Sequence, residues 1–89
     1  MKPSGLNIVA DENIPALARL FGHLGQIHTL PGRTIQNSDL QQADLLLVRS
    51  VTRVDQQLLE NTPVRFVGTA TIGTDHIDIV WFDQGFSVA

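Results

Sequence analysis

Short apolar runs alternate with amphipathic segments along most of the chain. The first run, Leu6–Asp11 (LNIVAD), ends in acidic residues and predicts a buried strand. Apolar residues then recur every three or four positions, which predicts an amphipathic helix. Asn13 is its predicted N-cap, Pro15 suits the first helical turn, and Gly25 marks its end.

The rest of the chain continues this alternation. Leu45–Val48 is the most continuous apolar run and predicts a strand covered on both faces, as in a parallel sheet. One helical turn is predicted after Ser38. The other predicted elements are a strand at 26–30 (QIHTL), a helix at 54–61, a strand at 62–70, a helix at 74–84 and a strand at 85–89. This order predicts a single α/β domain whose parallel sheet has helices on both faces.

Polar residues follow three of the predicted strands, at 11–13, 49–52 and 68–75. Ligands of open parallel sheets bind beyond the carboxyl ends of the strands, so these corners are the candidate site. The third corner combines glycines, threonine hydroxyls and the amides of a predicted helix start, which could cradle a carboxylate or phosphate. An ordinary turn with Thr74 or Asp75 as helix cap explains the same pattern equally well.

Arg49 and Ser50 stand directly after the third predicted strand. Arg49 can bind an anion through two parallel hydrogen bonds, or it can pair with Asp11 or Glu12 at the neighbouring strand end. We favour the ion pair for Arg49 and the ligand role for Ser50. A metal pair of Asp11 and Glu12, as in receiver domains, is disfavoured because Ser50 stands where that site needs an aspartate.

Composition excludes several classes of function. The net charge is −3 and the six basic residues are scattered, which argues against nucleic-acid binding. Without cysteine there is no disulfide or thiol chemistry, and with no signal peptide or bilayer-spanning stretch we expect a cytoplasmic protein that binds no membrane. His23, His28 and His76 have no partner at catalytic spacing, no metal site is predicted, and neither a P-loop nor G-x-G-x-x-G occurs.

Four motifs carry a family resemblance. In order and spacing, VADENIP, LPGR, LLLVRSVTRV and FVGTATIGTDHID resemble the 4-phosphoerythronate dehydrogenases, a family within the D-2-hydroxyacid dehydrogenase superfamily. The resemblance runs from about Leu6 to Ala89, and the DEN and GTAT-x-GTDH elements are its most specific parts. It implies a flavodoxin-like fold, with a parallel sheet of four to five strands and helices on both faces.

The resemblance also implies an activity and a site. The family oxidises 4-phospho-D-erythronate, a phosphorylated 2-hydroxy acid, at its 2-hydroxyl with NAD, in pyridoxal phosphate biosynthesis, and the full-length enzyme is expected to be a homodimer. Ser50 and Thr71 match the family's substrate-binding positions. Arg33, Arg49 and Arg53 are candidate phosphate contacts on grounds of charge only.

The family's other functional residues have no counterpart here. Its catalytic arginine, glutamate and histidine and its dinucleotide loop lie further downstream, and the segment after Trp81 is shorter than in the family. We therefore expect residues 1–89 to be the N-terminal part of the substrate-binding domain, without the Rossmann cofactor domain. Alone, this part should bind no cofactor and be inactive. The alternative is a stand-alone flavodoxin-like binding or interaction module without enzyme activity.

Overall fold

A computed structural model describes residues 5–72 and 77–83 of the 89-residue chain. Two short helices, α1 (Leu17–Phe21) and α2 (Gln56–Leu59), accompany five strands. Single 3₁₀ turns occupy Gly22–Leu24, Gly32–Thr34 and Asn37–Leu40. The strands are β1 (Leu6–Asp11), β2 (Gly25–Leu30), β3 (Leu45–Val48), β4 (Phe66–Ile72) and β5 (Ile77–Asp83).

The five strands form one sheet in the order β2-β1-β3-β4-β5. The first four are parallel, with Val9 opposite both His28 of β2 and Leu46 of β3. On the other side of β3, Val48 lies opposite Thr69 of β4. The predicted α/β class and the parallel arrangement of the first four strands are confirmed. Within the described residues, no helix is long and apolar enough to cross a membrane.

The core divides into two clusters, one on each face of the sheet. All four residues of β3 are buried, because successive side chains point to opposite faces and both faces are covered. On one face, Leu40 and Leu58, from the third 3₁₀ turn and α2, pack with Leu46 and Val48. On the other face, Leu17 and Phe21 of α1 join a cluster that includes Ile8, Ala10, Leu45 and Leu47.

The prediction of a helix at 74–84 is wrong for residues 77–83, which form β5. This strand runs antiparallel to β4, with Val80 opposite Thr69 and Ile77 opposite Ile72. Its sequence, IDIVWFD, consists largely of β-branched and aromatic residues, which favour extended backbone. The remainder of that predicted helix, and the strand predicted at 85–89, lie outside the described residues.

Helix α1 is shorter than the sequence predicts. It begins at Leu17, after Ala16 in a left-handed conformation (φ 60°), and Asn13 does not cap it. Instead, the Asn13 backbone N–H donates to Asp11 Oδ1 at 2.8 Å. Helix α2 lies within the helix predicted at 54–61 but is shorter. The Asp55 carboxylate caps it by accepting a hydrogen bond from Leu58 N at 2.9 Å.

Replacing Leu46 by alanine should destabilise the chain more than the same change at Leu20. Leu46 is 0% exposed in the central strand, whereas Leu20 on α1 is 40% exposed. We expect Leu46→Ala to lower the free energy of unfolding by about 2–5 kcal/mol, and Leu20→Ala by about 0.5 kcal/mol or less. Urea unfolding followed by circular dichroism measures both changes. Equal losses in the two variants would contradict the placement of β3 at the centre.

Candidate functional site

The carboxyl ends of β1, β3 and β4 meet at one edge of the sheet. The registers pair Ala10 with Leu47 and Val48 with Thr69, so the residues after these pairs emerge side by side. The strand-end edge, as we call it, therefore brings together Asp11, the Arg49–Ser50 pair and Thr71. This is the juxtaposition that the sequence predicts for three of the four parallel strands.

Asp11 is the buried centre of the strand-end edge. It is 0% exposed, and both of its carboxylate oxygens accept hydrogen bonds. Oδ1 accepts the Asn13 backbone N–H, and Oδ2 accepts Arg49 Nε at 3.0 Å. A buried carboxylate requires such partners, because burial without them would be strongly unfavourable. The predicted ion pair of Arg49 is confirmed, with Asp11 as the partner.

A glycine makes room for the Asp11 carboxylate. Gly32 is buried, and a Cβ at this position would collide with Asp11 Oδ2. The Gly32 carbonyl also accepts a hydrogen bond from Thr52 Oγ1 at 2.8 Å, which ties the turn after β2 to the loop after β3. In the sequence, the Pro31-Gly32 pair indicates only a turn. No local pattern indicates which distant side chain a glycine accommodates.

Ser50 and Thr71 lie at the ends of neighbouring strands, and both are exposed. Ser50 is in the turn that follows β3, while Thr71 is in β4 opposite Asp78 of β5. Exposed hydroxyls can each donate and accept a hydrogen bond, which suits recognition of a carboxylate or a substrate hydroxyl. The two candidate substrate-binding side chains are therefore accessible at one edge of the sheet.

The third predicted corner differs from expectation. Gly68 is a buried residue inside β4, paired with Leu47 of β3 and Trp81 of β5, and it is not part of a loop. The strand continues to Ile72, and residues 77–83 form β5. A cradle of helix-start amides is therefore not supported, because residues 77–83 of the predicted helix form a strand. Thr74, Asp75 and His76 lie outside the described residues.

The three candidate arginines differ sharply in their surroundings. Arg53 has a side chain that is 92% exposed and a long contact of 3.9 Å from Nε to Asp55 Oδ2, which fixes it weakly. Arg33 is exposed in the 3₁₀ turn that follows β2. The Arg49 side chain is 28% exposed and is held by the buried carboxylate. Among contacts within residues 5–72 and 77–83, Arg49 alone of these three has an orientation fixed by a buried partner.

Other chemistry is sparse in the described part of the chain. His23 and His28 are exposed, and residues 5–72 with 77–83 contain no group of three or more His, Asp or Glu side chains that could hold a metal ion. A cavity of about 360 Å³ lies between β1, β2 and the third 3₁₀ turn, lined by residues including Val9, His28 and Asp39. The Asp39 carboxylate there caps its own turn by accepting Gln36 N at 2.9 Å. The strand-end edge is thus the better candidate site.

Comparison with known proteins gives a consistent answer. Residues 7–85 match the family model of the D-isomer specific 2-hydroxyacid dehydrogenase, catalytic domain. The chain is 61% identical over 79 residues to an erythronate-4-phosphate dehydrogenase of Pseudomonas syringae pv. syringae (strain B728a), which covers 89% of this chain and 21% of that protein. A protein of the same name from Hahella chejuensis (strain KCTC 2396) is 60% identical over 87 residues, 94% of this chain and 23% of the relative.

A more distant relative agrees. The erythronate-4-phosphate dehydrogenase of Salmonella arizonae (strain ATCC BAA-731 / CDC346-86 / RSK2980) is 52% identical over 87 residues, again 94% of this chain and 23% of the relative. The chain therefore spans about a fifth of the length of the curated relatives that it matches. The resemblance carried by the four motifs is confirmed, and the chain belongs to the D-isomer specific 2-hydroxyacid dehydrogenase family.

Proposed function

We propose that this chain is the substrate-binding part of an NAD-dependent dehydrogenase that oxidises 4-phospho-D-erythronate at its 2-hydroxyl. The observation that carries the proposal is the identity of about 60% to erythronate-4-phosphate dehydrogenases over nearly the whole chain. Residues 1–89 then form the N-terminal part of the substrate-binding domain. The complete enzyme is a cytoplasmic homodimer that serves pyridoxal phosphate biosynthesis.

Ser50 and Thr71 bind the substrate in this proposal. Their exposure at neighbouring strand ends supports the assignment, because a small ligand could contact both hydroxyls at the same edge of the sheet. Hydroxyls can hydrogen-bond both the carboxylate and the 2-hydroxyl of a 2-hydroxy acid. Their task is to hold and orient the substrate, and neither is a proton acceptor for the oxidation at neutral pH.

The residues of this chain do not fit the cofactor. The sequence has no G-x-G-x-x-G motif, and its described loops at the strand-end edge contain a buried ion pair where a dinucleotide would need a glycine-rich turn. We assign NAD binding, and the acid–base group that takes the hydroxyl proton, to parts of the enzyme outside this chain. Hydride transfer needs both of those groups, so this chain contributes binding only.

Replacing Ser50 or Thr71 by alanine should weaken binding of 4-phospho-D-erythronate and leave the fold intact. Each change removes one hydrogen bond to an anionic ligand, so we expect about a tenfold loss of affinity per variant. Titration of the isotopically labelled chain, followed by amide chemical shifts in NMR, measures affinities down to the millimolar range. Ser38→Ala is the matched control, because its side chain is exposed and lies in the third 3₁₀ turn, away from the strand-end edge. Unchanged affinity in both site variants would remove the assignment.

The purified 89-residue chain should not reduce NAD in the presence of 4-phospho-D-erythronate. The reason is that it holds neither the hydride acceptor nor the acid–base group of the reaction. NADH absorbance over time, with a complete dehydrogenase of the family as positive control, makes the measurement. Clear turnover by the pure chain would contradict the proposed division of roles. Tight binding of the substrate without NAD, and without turnover, would instead indicate a stand-alone binding module.

A further inference from the structure

We infer that Asp11 is a positioning residue that fixes Arg49 so that the two terminal nitrogens of its guanidinium bind an oxyanion of the ligand, a carboxylate or a phosphate. This inference rests on the proposed function and adds to it a subsite, its chemistry and the residue that orients it. The subsite lies at the strand-end edge, next to Ser50. Three features of the ion pair support the subsite.

The first feature is which nitrogen of Arg49 is engaged. The Asp11 carboxylate is bound by Nε at 3.0 Å, at the inner end of the guanidinium. A guanidinium has five N–H donors, and four of them are on the two terminal nitrogens. In residues 5–72 and 77–83, neither terminal nitrogen has a hydrogen-bond partner. Two parallel N–H donors of this kind match the spacing of two oxygens in a carboxylate or phosphate.

The second feature is the contrast in burial across the pair. The Asp11 side chain is 0% exposed, whereas the Arg49 side chain is 28% exposed. Arg49 is therefore anchored from below and still reaches solvent at the edge where the two candidate hydroxyls lie. The pair is neutral as a whole, so an oxyanion would be held mainly by the directed N–H donors. Because Arg49 is already held in place, its side chain loses less conformational entropy when it binds a ligand. An exposed arginine such as Arg53 would lose more.

The third feature is how firmly the carboxylate itself is fixed. The Asn13 backbone N–H occupies Oδ1, and the absence of a side chain at Gly32 leaves the space that Oδ2 needs. The hydrogen bond from Thr52 to the Gly32 carbonyl keeps that turn in place. Buried ion pairs are often no more stabilising than apolar residues of the same size. A carboxylate bonded through both oxygens, in a space that a fixed glycine keeps open, is therefore better explained by orientation of Arg49 than by stability alone.

The decisive variant is Arg49→Lys. Lysine keeps the positive charge and can still pair with Asp11, but its single ammonium leaves no pair of parallel donors for a second anion. NMR titrations would use three probes: inorganic phosphate, D-erythronate and 4-phospho-D-erythronate. D-erythronate carries the carboxylate but no phosphate. We expect Arg49→Lys to weaken 4-phospho-D-erythronate binding about tenfold. The matched control Arg53→Lys should change affinity less than about twofold, because that side chain is 92% exposed.

The two simple probes identify which oxyanion Arg49 binds. If Arg49→Lys lowers the affinity for inorganic phosphate but not for D-erythronate, Arg49 binds the phosphate group of the ligand. The reverse result assigns Arg49 to the carboxylate. Either result supports the subsite. Affinity for all three probes that is unchanged by Arg49→Lys overturns it.

The positioning role of Asp11 has its own readouts. In the unaltered chain the Arg49 Nε–H should exchange slowly with water and give a resolved NMR signal, because it is bonded to a buried carboxylate. Its absence overturns the role without any variant. Asp11→Asn should shift that signal and lower oxyanion affinity about fivefold or more, since a charge-assisted bond is lost. Ile8→Val, a buried core change that also lowers stability, should leave both readouts unaltered where the chain is folded.

The outcomes separate this inference from the proposed function. If substrate binding depends on Ser50 and Thr71 but not on Arg49, the subsite falls and the proposed function stands. A second outcome is that Arg49 binds phosphate or D-erythronate, but the chain binds 4-phospho-D-erythronate no more tightly than these anions and the affinity is unchanged in Ser50→Ala and Thr71→Ala. In that case the subsite stands and the proposed function falls. If the folded chain binds none of the three probes, both are wrong.

Discussion

The parallel pairing of the first four strands in the sheet is the constraint on which the rest of this structure depends. Parallel strands cannot be joined by tight hairpins, so each connection returns over a face of the sheet and covers it. The connections here place α1 on one face and α2 with a 3₁₀ turn on the other, which is why all four residues of β3 are apolar and buried. The same pairing brings the carboxyl ends of the strands to one edge. Core and site are therefore two consequences of one arrangement.

The ion pair between Asp11 and Arg49 at that edge costs desolvation free energy to form. Burial of a carboxylate and most of an arginine removes both from water, and their attraction in the interior repays this only when further hydrogen bonds satisfy the remaining groups. Asp11 meets this condition through Asn13 and Arg49, whereas within residues 5–72 and 77–83 the terminal nitrogens of Arg49 have no hydrogen-bond partner. The strand-end edge thus combines a fully satisfied carboxylate with a partly satisfied guanidinium, an arrangement that suits ligand binding better than stability.

The sequence predicts most of this from local patterns. Four strands, the existence of both helices, the strand-end edge and the ion pair of Arg49 follow from apolar runs, helical periodicity and the rule for parallel sheets. The start of α1 does not, because Ile14 is 3% exposed although it precedes the helix. Burial in a turn and burial on a helix produce the same periodic pattern. Asn13 also indicates a helix start at the wrong residue, since its backbone N–H donates to the Asp11 carboxylate and it does not cap α1.

Strand β5, Gly32 and Gly68 show a second limit of prediction from local sequence patterns. The segment at 77–83 follows threonine and aspartate, which are typical of a helix start, yet its β-branched and aromatic residues favour a strand, and pairing with β4 decides between them. Gly68 and Gly32 both carry turn signals in the sequence. One is a strand residue between two partners and the other makes space for a carboxylate 21 residues earlier in the chain. Such roles depend on contacts between distant segments, which a local pattern does not contain.

The shape of the edge also bears on how the proposed activity is divided. Exposed hydroxyls at Ser50 and Thr71 and the half-buried Arg49 would contact a ligand from one side only, because they lie at the open edge of a single sheet. Small-molecule sites usually enclose most of the surface of their ligand. For the proposed reaction, a second surface opposite the sheet would enclose a ligand that is already bound at this edge, exclude water and present the cofactor and the proton acceptor. Such a division of roles agrees with a chain that spans about a fifth of the length of its relatives.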